Sequence, residues 1–234
     1  MIATIVPKFA RLPPEQRRLW PELRPGIELG FVLYGGTGIS LHLGHRPSVD
    51  FDFFNDRALD KNAVRASFPF MERATVLQDA ADTLVVSARD GHGRGRKPVK
   101  VSFFGGLPFG RVGDPLLTRD GVIEVASLDD LMAHKLRVVL ARPEKKDYED
   151  LAAMIRAGQS VARGLAAARA LFGRQFQPAS ALKALVYFEG GDLASLRGAD
   201  RNTLIGAASA VGPLPVVEQR SKKLAIPIGS GTQS

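Results

Sequence analysis

Two aspartates, Asp50 and Asp52, stand two residues apart in the run Val49-Asp50-Phe51-Asp52-Phe53-Phe54. Alternation of this kind reads as a strand, and side chains two apart on a strand share a face. Both carboxylates then lie together, with Val49, Phe51 and Phe53 on the opposite face. Like charges this close repel, and burying them is costly unless they are compensated. A hard divalent cation resolves that cost, since magnesium is commonly held by one or two carboxylates plus phosphate oxygens. The alternative is an exposed strand end whose acids face water. Upstream, Gly35-Gly36-Thr37 separates an apolar run from a helix-like one. Two glycines let the backbone approach a phosphate closely. A helix start adds free N–H groups and a positive dipole end, and Thr37 adds a hydroxyl. No Gly-Lys-Ser/Thr follows, so this is not a P-loop.

Further candidates lie downstream. Leu128, Leu131, Met132, Leu136 and Val139 form one helical stripe, and Lys135 sits on it, four after Leu131 and seven after Leu128. Such a lysine either snorkels to the edge or aims a cation at phosphate. Asp147 and Asp150 are one helical turn apart, and Asp147 precedes Leu151 by four and Met154 by seven, at the border of a buried stripe. The pair either stabilises a helix N-terminus or anchors Lys135 or Arg142 without touching a substrate.

The elements that must position these groups follow from periodicity. Residues 14–22 predict a short helix, with Pro14 near its first turn. Residues 30–36 predict a buried strand ending in glycine, residues 37–44 a short helix stopped by Gly44, and residues 48–54 a strand. Residues 60–68 predict a helix, and residues 73–89 two strands joined by a turn at 79–82. A basic, glycine-rich loop at 91–97 leads to further strands at 98–106 and 121–127. From Ser127 onward five helix-like segments follow, the first with a Ser127 N-cap and Asp130 three residues on, a variant capping box. The pattern predicts a strand-rich part over 1–126, a helical part over 127–212 and a flexible Pro/Gly/Ser-rich tail over 213–234. Trp20, Phe68 and Phe70 read as core residues.

The stretch "GGTGISLHLGHRPSVDFDFF" resembles the signature of the nucleotidyltransferase superfamily whose best-known fold is that of DNA polymerase beta. Within it, the likeness is to the AbiEii/AbiGii toxin-type nucleotidyltransferases: a GG[ST] turn, a short helix, often Gly-His-Arg, then a strand with DxDFF-like residues. The resemblance implies an α+β fold, with a mixed-sheet nucleotidyltransferase-like domain, a C-terminal helical domain and a cleft between them. It implies that Gly35, Gly36 and Thr37 hold a nucleoside triphosphate and that Asp50 and Asp52 bind Mg2+ or Mn2+. Lys135 matches the family's helical lysine, and Lys146, Asp147 and Asp150 match its K-D-x-x-D. The implied reaction moves a nucleoside monophosphate from an NTP to an acceptor hydroxyl, with tRNA or another RNA as a candidate acceptor. A toxin–antitoxin or phage-defence setting, with a cognate antitoxin protein as partner, follows from the same likeness.

The superfamily usually adds a third carboxylate from a neighbouring strand. The strand in that place, "PVKVSFF", offers Lys100, Ser102 and Phe104 on one face and Val99, Val101 and Phe103 on the other, with no acid in either set. Two-metal phosphoryl transfer needs more acids than two. That leaves either an active transferase, with Asp147 as the candidate base, or a catalytically impaired module that binds nucleotide, RNA or a partner.

Composition sets the frame. The chain has 234 residues, 45% of them hydrophobic, enough for a substantial core. Lys and Arg number 32 against 24 acids, a formal net charge of +8 that favours polyanionic partners. There is no cysteine, which excludes disulfides and thiolate zinc sites. No run reaches the length of a membrane span, so a cytoplasmic protein is expected.

Overall fold

A computed structural model describes residues 3–89 and 97–226 of the chain, so residues 91–96 of the basic loop lie outside the described residues. The strands are β1 (Thr4–Ile5), β2 (Val32–Tyr34), β3 (Asp50–Phe54), β4 (Thr75–Ala80), β5 (Thr83–Ala88), β6 (Val99–Phe104), β7 (Leu116–Thr118) and β8 (Glu124–Val125). The helices are α1 (Pro14–Leu19), α2 (Pro25–Glu28), α3 (Gly35–Leu43), α4 (Lys61–Ser67), α5 (Leu128–Ala141), α6 (Lys145–Arg156), α7 (Val161–Phe172), α8 (Pro178–Leu185) and α9 (Gly198–Ser209). The strands form one mixed sheet in the order β1-β7-β8-β2-β3-β6-β5-β4. This is the mixed-sheet-then-helices α+β architecture that the sequence predicts. The pieces without a sequence signal are β1, β7 and α2, which are two to four residues long and exist only through their neighbours.

Strand β3 lies between β2, antiparallel to it, and β6, parallel to it. Its period-two pattern separates two faces. Phe51 and Phe53 are fully buried and pack with Phe103, Val101, Phe68 and Trp20 in one apolar cluster. Burying each such ring contributes about 1.5–3 kcal/mol relative to exposure. Val49 departs from the expected pattern: it precedes the paired part of the strand and is 62% exposed. The other face carries Asp50, Asp52 and Phe54 toward the helices.

A second apolar cluster joins α5 to α9 with Val32, Tyr34 and Ile39 of β2 and α3. The helical part therefore packs directly on the sheet face that bears the acids. Helix α5 starts as its sequence predicts, the Ser127 hydroxyl accepting from Asp130 N–H at 3.1 Å. The Asp130 carboxylate in turn accepts the Ser127 hydroxyl at 2.5 Å and, from the loop beside it, the N–H groups of Val112 and Gly113 at 2.9 and 3.0 Å. It thereby ties that loop to the helix.

The flexible tail expected over 213–234 is described as far as Ile226, residues 227–234 lying outside the described residues; the described part runs extended and from Gln219 onward is bonded to the rest of the chain. Gln219 Nε2 donates to Phe109 O at 2.6 Å, Arg111 N–H to Ser221 O at 2.9 Å and Leu224 N–H to Asp56 Oδ1 at 2.9 Å. Leu224 is fully buried. Composition alone does not register such partners, because each comes from a residue more than a hundred positions away.

Candidate active site

A cleft of about 280 Å³ opens between the acidic face of the sheet and helices α5 and α6, lined among others by Gly35, Gly36, Asp50, Asp52, Lys100 and Lys135. The strand register builds one wall. Asp50 lies opposite Lys100 and Asp52 opposite Ser102, all on the same face. Lys100 Nζ stands 3.6 Å from Asp50 Oδ2. So the strand expected to lack a third acid does flank the aspartates, with an ammonium and a hydroxyl in that place. Burial and the charge of Asp50 push the Asp52 carboxyl above the ordinary aspartate range, and Lys100, the Ser102 hydroxyl and Lys135 only partly offset them.

The glycines serve this wall as well as any ligand. Gly35 begins α3 with φ +70°, and a Cβ there would lie 2.4 Å from Asp52 Oδ2. A Cβ on Gly36 would lie 2.8 Å from Arg46 Nη2 and 2.9 Å from Ser48 Oγ. The pair lets an acid and a guanidinium approach the start of the helix, whose orphan N–H groups point the same way. Thr37 is buried, and its hydroxyl donates to the backbone oxygen of Asp50, fixing β3 against α3.

The opposite wall is built on Lys135, which is 7% exposed and lines the cleft. Its ammonium meets Asp147 Oδ1 at 2.6 Å and Asp150 Oδ2 at 2.7 Å. Two of its three donors are thus engaged, leaving one for the cleft. Asp147 also accepts from Arg142 Nε at 3.2 Å. Asp150 receives a bidentate fork from Arg46, Nε to Oδ1 at 2.7 Å and Nη2 to Oδ2 at 2.8 Å, and meets His45 Nε2 at 2.7 Å. Burial opposes ionisation of Asp150, but the bonds from His45 and Arg46 and the charge of Lys135 outweigh it, and its carboxyl is held well below the ordinary range. Both acids are fully buried behind the lysine and neither lines the cleft. Lys146 does line it, half exposed, with Nζ 2.8 Å from Glu144 Oε2.

The structure brings Gly35, Gly36, Asp50, Asp52, Lys135 and Lys146 to one cleft and sets Thr37, Asp147 and Asp150 behind its walls. It adds Arg46, Ser48, Lys100 and Arg142 as polar lining, and Tyr34, Phe54, Phe104 and His134 as an aromatic part. The signal for Phe54 and Phe104 was present in the sequence. They are the next same-face positions after Asp52 and Ser102. The signal for His134 was its place three after Leu131 on the α5 stripe.

The donor set fits a single hard cation. Asp50 and Asp52 share a face, the charge of Asp50 on Asp52 is incompletely offset, and no group of three or more His, Asp or Glu side chains among the described residues could hold a metal. Two carboxylates plus phosphate oxygens from a substrate match the usual magnesium arrangement.

Comparisons with known proteins agree with this architecture. An uncharacterized protein of Aquifex aeolicus is 31% identical over 144 residues; the match takes in 60% of this chain and 66% of that protein, so the chain spans just under two thirds of the relative's length. Among solved structures, the fold is similar to MenT4, a nucleotidyltransferase toxin from Mycobacterium tuberculosis, with a TM-score of 0.53 at 15% identity over 84% of this chain and 82% of that one. It is likewise similar to an antigenic nucleotidyltransferase-like protein from Paracoccidioides brasiliensis, with a TM-score of 0.53 at 13% identity over 85% and 95% of the two chains. At such identities the likeness shows the fold alone. Residues 19–213 match the family model described as "Nucleotidyl transferase AbiEii toxin, Type IV TA system", and the chain belongs to that family.

Proposed function

We propose that the chain transfers a nucleoside monophosphate from an NTP to an acceptor hydroxyl and releases pyrophosphate. The observation that carries this reading is the pairing of opposite charges across one cleft: two carboxylates on β3, Asp52 among them incompletely compensated, face a lysine held by two others. Asp50 and Asp52 would hold Mg2+ or Mn2+. That cation neutralises charge on the transferring phosphate when bound. The Gly35 and Gly36 backbone and the helix start of α3 receive the phosphate tail. Lys135, its ammonium fixed by Asp147 and Asp150, aims its remaining donor at the leaving pyrophosphate, where negative charge develops. Arg46, Arg142, Lys146 and Lys100 add four further cations to the lining.

Asp147 serves as a positioning residue in this scheme. Its two oxygens are engaged by Lys135 and Arg142, which removes it as a base for the acceptor proton. Asp50 and Asp52 are the two carboxylates that line the cleft, so that proton passes to one of them or to water. The net charge of +8 supports tRNA or another RNA as acceptor. Family membership supports a toxin paired with a cognate antitoxin. A cytoplasmic location accords with the lack, among the described residues, of any helix long and apolar enough to cross a membrane.

The test is incubation with each labelled NTP, Mg2+ and total tRNA. Label transfer with pyrophosphate release, lost in Asp50→Ala and Asp52→Ala, is the expected result. Lys100 and Ser102 in the place of a third acid favour one competing outcome, NTP binding without transfer. That outcome would make the chain a binding module and overturn the enzymatic reading.

A further inference from the structure

The cleft has two chemically different ends, and the reading as an NTP site uses only one. Along the acidic face, same-face pairs follow one another in two-residue steps: Asp50 with Lys100, Asp52 with Ser102, then Phe54 with Phe104. Each step is about 7 Å, comparable with the reach of a ribose between an α-phosphate and its base. The face therefore passes from charged to aromatic along the line a nucleotide would occupy. Phe54 is backed by Tyr34, stacked at 4.7 Å with 14° between the planes, and Phe104 meets it edge-on at 5.5 Å. Leu131 and Val138 of α5 line the same cleft from the other side.

Between them stands His134. Its ring lies 4.5 Å from Phe109, 4.8 Å from Tyr34, 5.0 Å from Phe172 and 5.8 Å from Phe54. Its Nε2 is buried and makes no hydrogen bond among the described residues. Burial in this cage, with the Arg137 charge nearby, brings its pKa down to about 3, so the ring is neutral at physiological pH. A neutral imidazole offers one donor and one acceptor. Leaving such a group unpaired among apolar rings is unfavourable, and a base edge that enters the cage from the cleft, displacing a ring edge to reach the enclosed nitrogen, supplies the missing partner.

We propose that Phe54, Phe104 and His134 form the nucleobase subsite of the cleft, the phenylalanines packing on the base and His134 bonding its polar edge. The proposal rests on the reading of the cleft as an NTP site. It makes His134 the residue that sets which NTP is preferred.

The test uses the full chain with Mg2+ and measures calorimetric binding of the four α,β-methylene NTPs, which cannot transfer, and of inorganic tripolyphosphate, which has no base. His134→Phe keeps the ring packing and removes both nitrogens. It is expected to weaken the preferred NTP about tenfold, toward the affinity of the others, as expected for loss of one specific hydrogen bond. Phe104→Ala, at a partly exposed ring, is expected to weaken all four NTPs about tenfold, as for loss of one stacking platform. Neither variant should change tripolyphosphate binding. Unchanged NTP affinities in both variants, or an equal loss of tripolyphosphate, would overturn the subsite while leaving the phosphate site standing. Failure of the wild-type chain to bind either kind of ligand, or binding indifferent to Asp52→Asn, would overturn the NTP reading itself, and the subsite with it.

Discussion

Two acid pairs of equal formal charge flank the cleft, and they behave in opposite ways. Asp50 and Asp52 are two apart on a strand, Asp147 and Asp150 three apart on a helix. Around the second pair stand Lys135, Arg142, Arg46 and His45, at 2.6 to 3.2 Å. Around the first, Lys100 stands 3.6 Å from Asp50, and Lys100, the Ser102 hydroxyl and Lys135 only partly offset the burial of Asp52. The Asp150 carboxyl is accordingly held down and the Asp52 carboxyl pushed up. The difference separates two uses of the same chemistry. A buried acid with all its partners in place stabilises a fixed arrangement, here the position of Lys135. In the proposed site, a half-buried acid short of partners is the one left to meet a cation supplied from outside.

The comparison can be broken most directly at Asp150. Asp150→Ala leaves Lys135 and Arg46 without their shared buried partner, and is expected to lower stability by about 3–5 kcal/mol, read from urea denaturation. The corresponding change in the other pair should do the reverse. Asp52→Asn is expected to leave stability unchanged or slightly raised in metal-free buffer while lowering label transfer by about 10²–10³-fold. A large stability loss in that variant would show that Asp52 is compensated after all.

Intermediate effects are expected where the two regions meet. Gly36→Ala would set a Cβ 2.8 Å from Arg46 Nη2, dislodging the fork on Asp150 at roughly 1–3 kcal/mol. Gly206→Ala, on α9 with nothing within 4 Å of the added carbon, is the control and should be neutral or stabilising. An unaltered midpoint for Gly36→Ala would show that the guanidinium is not held there.

Acidification sharpens the contrast further. The Asp150 contribution is complete above the unfolded-chain value of about 3.9 and is lost as pH falls below it toward the lowered folded value. The Asp52 penalty is complete above its raised folded value and is relieved as pH falls through that value toward about 3.9. On lowering the pH, the stability gap between wild type and Asp52→Asn should therefore close first. The gap between wild type and Asp150→Asn should close only below about pH 3.9. The smallest expected effect is at Lys100, whose side chain is 47% exposed. Lys100→Ala should raise Mn2+ affinity only roughly two- to fivefold, in keeping with an exposed pair worth at most about 1 kcal/mol.

Much of the fold was legible because its signals are local. Period-two alternation marked β3 and β6, a helical stripe marked α5, and Ser127 and Gly44 marked helix ends through their own backbone needs. The same alternation placed Asp50 and Asp52 on one face and left β6 without an acid beside them. What stayed hidden depended on distant partners: the two- and three-residue strands β1 and β7, and the segment after Pro213 that Arg111, Phe109 and Asp56 hold in place.

For the site, the sequence by itself determined which residues carry charge, which share a face with them and which family they signal. Only the tertiary structure decided how those charges are compensated. It set Asp147 and Asp150 behind Lys135, turned the Thr37 hydroxyl to the strand, placed Lys100 beside Asp50, and brought His134 over Phe54. The physical reason is that period and spacing set a side chain's direction, whereas its electrostatic state depends on what approaches from other elements. In this chain the fork on Asp150 comes from Arg46, 104 residues away.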